Sequence, residues 1–170
     1  MSSVAPSTGS SSSLARLVRR WPVVALAAWN AFVFTTRIRN VSDDPQATGV
    51  TKAWAIALAS LMLAGVVLLV GLVYHVRSRG FSPVEARVVQ AVAALTVVVW
   101  VYRGVEIAIA DYSDNPTISS PTAFKVVHLV LGVISIALSV LSWRVAERER
   151  AEGVAGGPGP PVSPVRQAVR

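Results

Sequence analysis

Ala53–Val76 runs for 24 residues with no Asp, Glu, Lys or Arg, and Ala123–Trp143 runs for 21 with only Lys125 among them. As helices they reach roughly 36 and 32 Å, enough to cross a hydrocarbon core of about 30 Å. Two shorter apolar runs, Trp21–Thr36 and Val88–Tyr102, stop at Arg37 and Arg103 after 16 and 15 residues. Alone they would reach only about 24 and 22 Å, so both helices are expected to continue past the arginine. Long Arg side chains can snorkel to the interface and permit this. Hydrophobic residues make up 53% of the 170 and charged residues 15%, a balance for a membrane rather than water.

The fold class expected is therefore all-α: a four-helix transmembrane bundle, with helices at about 19–38, 52–76, 83–110 and 121–146. Residues 1–13 are Ser-rich and 152–170 are rich in Gly and Pro, so both read as disordered tails flanking a membrane domain over 14–151. Ser82-Pro83-Val84-Glu85 places Ser at the N-cap, Pro at the first helical position and Glu at the third, a capping box for the third helix. Ser120-Pro121 opens the fourth without the Glu. No small-x-small site follows the first apolar run, so it reads as a retained helix and not as a cleaved signal peptide.

Charge sets the expected orientation. With four spans, the termini and the 77–87 loop share one side, which holds eleven Arg and Lys against five on the other. The positive-inside rule then puts both termini in the cytoplasm of a multi-pass plasma-membrane protein.

The chain also aligns with itself at an offset of 71. Residues 11–80 and 82–151 share thirteen identities, among them Arg16/Arg87, Trp29/Trp100, Asp43/Asp114, Pro45/Pro116 and Arg77/Arg148. Most of the identities are polar, Trp or Pro, where membrane composition does not inflate matching. The expected architecture is two helical hairpins forming a parallel repeat about an axis along the membrane normal. Two hairpins obeying common membrane rules would look similar.

Six residues form the candidate polar site. Arg103 and Glu106 are helical neighbours, and ionisable groups inside a span are functional candidates by default. A self-neutralising interfacial pair is the plainer reading. On the fourth helix Lys125, His128, Gly132, Ser135, Ser139 and Ser142 recur at alternating spacings of three and four, which holds them to one face. Small and hydroxyl residues on such a face mark helix–helix contact in a bilayer. Lys125, His128, Ser135 and Ser139 could instead line a polar path. Asn30 reads as an interhelical hydrogen bond.

Cofactor and metal chemistry is not expected. The chain has no Cys, and His75 and His128, its two histidines, fall at opposite membrane edges. Asp43, Asp44, Asp111 and Asp114 read as caps and turns more readily than as cation ligands. No P-loop, dinucleotide fingerprint, zinc-protease motif or nucleophile elbow is present.

At Trp100, Asp114, the Pro121-Thr122-Ala123 helix start and His128, the second hairpin resembles small actinobacterial integral membrane proteins. Fourteen Arg against two Lys suits a GC-rich genome of that kind. The resemblance covers about sixty residues and implies no activity.

Function is expected to be non-enzymatic: an accessory or structural membrane protein that binds partner helices or lipids. The expected partners are the bilayer and a larger membrane complex or further copies of the chain, not nucleic acid. A small oligomeric transporter or proton or ion pathway using Glu106, Arg103 and His128 is the alternative. A membrane redox or lipid enzyme would rest only on His128 and the acidic loops.

Overall fold

The computed structural model describes residues 18–45, 47–112 and 118–155. Among them the chain is all-helical, with four helices and no strand: α1 Trp21–Asp43, α2 Gly49–His75, α3 Pro83–Ile109 and α4 Pro121–Ala155. The expected N-terminal tail over 1–13, and Ser113, Asp114 and Pro116 of the second loop motif, lie outside the described residues.

Two helix ends differ most from the sequence reading, and α2 also starts earlier than 52, at Gly49. α1 passes 38 and ends at Asp43, and α4 passes both 146 and the expected tail start at 152, ending at Ala155. The α4 extension is rich in Glu, Arg and Ala, which are strong helix formers. Ion pairs to Glu149 and Glu152 also fix it to the start of α1. The Gly-rich stretch that was to stop this helix begins only at Gly156.

Helix starts follow local chemistry. Ser82 Oγ accepts from the Glu85 N–H, while Glu85 accepts from the Ser82 N–H at 2.7 Å, so the expected capping box is complete. Thr48 caps α2 through the Thr51 N–H, and Ser120 Oγ accepts from the Ala123 N–H at 3.3 Å.

Three of the helices, α2, α3 and α4 as far as Glu152, are long and apolar enough to cross a membrane. A helix satisfies its own backbone, which is what hydrocarbon demands of a spanning segment. α1 has 23 residues but carries Asn30 midway and Arg37 and Arg39 before its end, so it falls outside that set. Apolar side chains such as Val67, Val70, Leu129 and Val133 are exposed on the outside of the bundle. So much apolar outer surface is unlike a protein made for water and suits lipid as the solvent. The protein is thus a membrane-embedded helical bundle.

Packing is closest within the sequential pairs, α1 on α2 and α3 on α4; α1 also packs on α4, and α2 meets α3 more sparsely. The start of α1, the α2–α3 turn and the end of α4 lie at one end, here the terminal end; the end of α1, the start of α2, the end of α3 and the start of α4 lie at the other, here the hairpin end. The core has two parts. A large cluster around Val23, Leu26, Leu69, Val89 and Val145 fills the terminal half. A smaller one, Phe34, Ala59, Met62 and Val99, lies toward the hairpin end. Buried polar groups occupy the level between them. Asn30 Nδ2 donates to Thr96 Oγ1 at 3.1 Å, so Asn30 bonds between helices as expected. Trp29 Nε1 donates to Ser135 Oγ at 2.8 Å.

Candidate functional site

The thin core at the hairpin end leaves a cavity of about 480 Å³, walled by all four helices. Its position follows from the sequence of each wall. α1 contributes Phe34 and then, a turn further, Arg37; α3 contributes Trp100 and then Arg103 and Glu106. On α1 Phe34 lies deeper than Arg37, and on α3 Trp100 lies deeper than Arg103 and Glu106, beside which Ile107 also faces the cavity. Trp54 of α2 and His128 of α4 complete the mouth.

Of the six residues singled out from sequence, three line this cavity: Arg103, Glu106 and His128. Arg103 Nη1 and a Glu106 carboxylate oxygen are 2.5 Å apart, and both side chains are partly exposed. His128 Nδ1 is 2.8 Å from the Phe124 carbonyl oxygen one turn back, and its ring packs on Phe124 with centroids 4.1 Å apart.

The other three lie elsewhere. Lys125 Nζ donates to the Ala108 carbonyl at 3.1 Å, satisfying an acceptor near the end of α3, and sits over the Tyr112 ring. Ser135 and Ser139 are buried deeper, and each hydroxyl donates to the carbonyl four residues back, on Leu131 and Ser135. Ser142 bonds back to Leu138 in the same way. Such bonds satisfy the hydroxyl within its own helix and leave the face free to pack. Gly132 belongs to the same inward face. A Cβ built there would stand 3.1 Å from Trp100 Cε3, so the missing side chain is what lets α3 bring its indole against α4.

Two buried polar atoms have no partner among the described residues: Asn30 Oδ1 and Trp100 Nε1. The contrast with Trp29, 71 residues earlier, has a simple chemical basis. Trp29 reaches the hydroxyl of buried Ser135, whereas Ala64, 71 residues before Ser135, has no hydroxyl and is exposed.

Sequence reasoning missed the strongest polar cluster in the molecule. At the terminal end Arg20 is 1% exposed and Glu149 also 1%. Arg20 Nε and Nη2 donate to the two carboxylate oxygens of Glu149 at 2.7 and 2.6 Å, a bidentate pair. The remaining guanidinium donors reach the carbonyls of Val76 at 2.9 Å and Arg79 at 2.6 Å, just past the end of α2. A cation there meets the free carbonyls and the negative end of the helix dipole. Glu149 also accepts the Phe81 N–H at 3.2 Å, and the guanidinium lies 4.5 Å from the Phe81 ring centre. One ion pair thus ties α1, the α2–α3 turn and α4 together. Beside it, Arg79 makes two hydrogen bonds to Glu85, and that carboxylate holds the Arg79 guanidinium above its ordinary pKa.

A sequence signal for Glu149 did exist. The polar face of α4 continues in register from Ser139 and Ser142 to Ala146 and Glu149, and all four are buried. Arg20 carries no such mark, because three arginines crowd the segment before Trp21.

His75 ends α2 at the terminal end, whereas His128 lies near the start of α4 at the hairpin end, so the two do not meet. Among the described residues no three His, Cys, Asp or Glu side chains gather as metal ligands would; Asp114 is outside them. No family model matches the chain, and no curated protein and no solved structure matches it either.

Proposed function

We propose that this is a non-catalytic integral membrane protein of accessory type, one that holds lipid in its bundle or lies against partner helices of a larger complex or of further copies of itself. The observation that carries the reading is the cavity. All four helices build it, its depth is aromatic and aliphatic, and its charged groups stand at the mouth. Small-molecule sites have this composition, a mostly apolar wall with a few polar groups for orientation. Three of the ionisable groups there are engaged: Arg103 with Glu106, and His128 Nδ1 with a backbone carbonyl.

The reading includes four spans, a parallel repeat and cytoplasmic termini. α1 belongs with the spanning helices because it runs the length of its neighbour. Arg20, before its first turn, meets the carbonyl after α2, and the Ser42 carbonyl at its other end accepts from Lys52 at the start of α2. The repeat is supported by close packing within each hairpin. The likeness to actinobacterial membrane proteins, carried by Trp100, Pro121 and His128, belongs to the same reading.

Native mass spectrometry of the tagged protein, extracted gently from its host membrane, tests the proposal. A retained lipid or a stoichiometric second protein is expected. A bare monomer with neither would overturn it.

The second reading is a small transporter or ion pathway. It is favoured by one arrangement: Arg103, Glu106 and His128 share a cavity at the hairpin end, while the Arg20–Glu149 pair closes the terminal end. Flux in liposomes, lost in Glu106→Gln, would establish it in place of the first.

A further inference from the structure

The charge at the cavity mouth is unbalanced. Two arginines and one glutamate line it, leaving one net positive charge. Arg103 is taken by Glu106, and outside the cavity Arg39 stands near Asp43 at 3.9 Å. Among the described residues no hydrogen bond or ion pair holds Arg37, though it lines the cavity. A guanidinium at the edge of hydrocarbon is strongly favoured by a partner of opposite charge.

We infer that the cavity is a binding site for a single-chain anionic amphiphile, its carboxylate or phosphate paired with Arg37 and its chain laid against Phe34 and Trp100. The inference rests on the lipid-binding half of the reading above and gives it a ligand class. Three observations converge on it. First, the Arg37 guanidinium feels the carboxylates of Glu106 and Asp44, yet neither holds it in an ion pair, and Glu106 is already bound to Arg103. Second, charged and apolar residues are separated along the helix axes, Phe34 before Arg37 on α1 and Trp100 before Arg103 on α3, so a head-and-tail molecule matches them in one orientation. Third, the volume of 480 Å³ falls at the lower end of small-molecule sites, roughly 300–1,000 Å³. One chain enters such a space, and the second chain of a two-chain lipid has to stay outside. Trp100 adds a built-in reporter. Its side chain is 8% exposed, so a quencher seated in the cavity adds a saturable component to the non-saturating quenching that exposed Trp21, Trp54 and Trp143 undergo from probe dissolved in the bilayer.

The test uses the full chain in phosphatidylcholine nanodiscs and follows tryptophan fluorescence. The probes are 9,10-dibromostearate, its uncharged methyl ester, and a brominated phosphatidic acid. Saturable quenching by the free acid is expected, with an affinity about tenfold above the ester's, the worth of one charge-assisted contact. That preference should vanish in Arg37→Gln and persist in Arg37→Lys and in Arg39→Gln, which changes an arginine outside the cavity. Equal saturation by acid and ester overturns the inference while leaving lipid binding intact. Saturation by neither overturns both. Tighter binding of phosphatidic acid than of the single-chain acid overturns the single-chain assignment. Should Arg37→Gln fail to fold, the acid–ester comparison in the unaltered protein decides the matter.

Discussion

Glu149→Gln is the sharpest perturbation this bundle offers. The change keeps the size of the side chain and removes its charge. Arg20 then stays buried with neutral acceptors alone, the carbonyls of Val76 and Arg79 and one amide oxygen, and the amide nitrogen that replaces the second carboxylate oxygen is a donor facing a donor. Removing one member of a buried ion pair costs about 3–5 kcal/mol, because the other charge is left without compensation. For a chain of 170 residues, where each kcal/mol moves the midpoint by about 2–4 °C, the expected fall in Tm is roughly 6–20 °C. Circular dichroism of detergent-solubilised protein measures it. The same logic requires the double variant Arg20→Met with Glu149→Leu to recover most of that loss, since an apolar pair of similar volume carries no desolvation cost. A Tm within 2 °C of the unaltered protein for Glu149→Gln would refute the reasoning. So would a double variant no more stable than the single one.

Gly132→Ala should destabilise by about 1–3 kcal/mol, because its Cβ would stand 3.1 Å from the Trp100 ring. Gly71→Ala, with nothing within 4 Å of the added atom, should be neutral or stabilising by up to about 1 kcal/mol; thermal melts of the pair separate contact from propensity. Ser82→Ala removes the cap of α3 and should cost about 1 kcal/mol, read by the same melts. Reporter fusions at the N-terminus and at residue 45 should report opposite sides of the membrane; the same side would remove α1 from the spanning set.

The parts of this molecule legible in the sequence are those governed by local rules. The capping box at Ser82 and Glu85 forms as its spacing predicts. The small-residue face of α4 is buried at Gly132, Ser135, Ser139 and Ser142, because a spacing of three and four can point only one way. Both α1 and α3 pass their arginines, as the span length required. Charges far from each other in sequence were harder. Arg20 and Glu149 each look like ordinary flanking charges, and their pairing depends on α1 packing beside α4, which no local pattern encodes. The cavity was illegible for a related reason. It arises where several short or outward-turned side chains fail to fill the space between four helices, a property of their joint geometry and of no single stretch. Arg103, Glu106 and His128 stand out by residue type and helical spacing, and only the fold puts them around one space with Arg37.

The Arg20–Glu149 contact joins residues 129 apart in sequence. A ribosome delivers the arginine long before its glutamate, so the contact cannot exist until the last helix has left the ribosome and found its place. Until then the guanidinium must stay in water or among lipid headgroups. Its burial therefore marks a finished chain. A truncated or mis-inserted product would keep that arginine exposed at the membrane surface, where quality-control proteases could tell it from the completed protein.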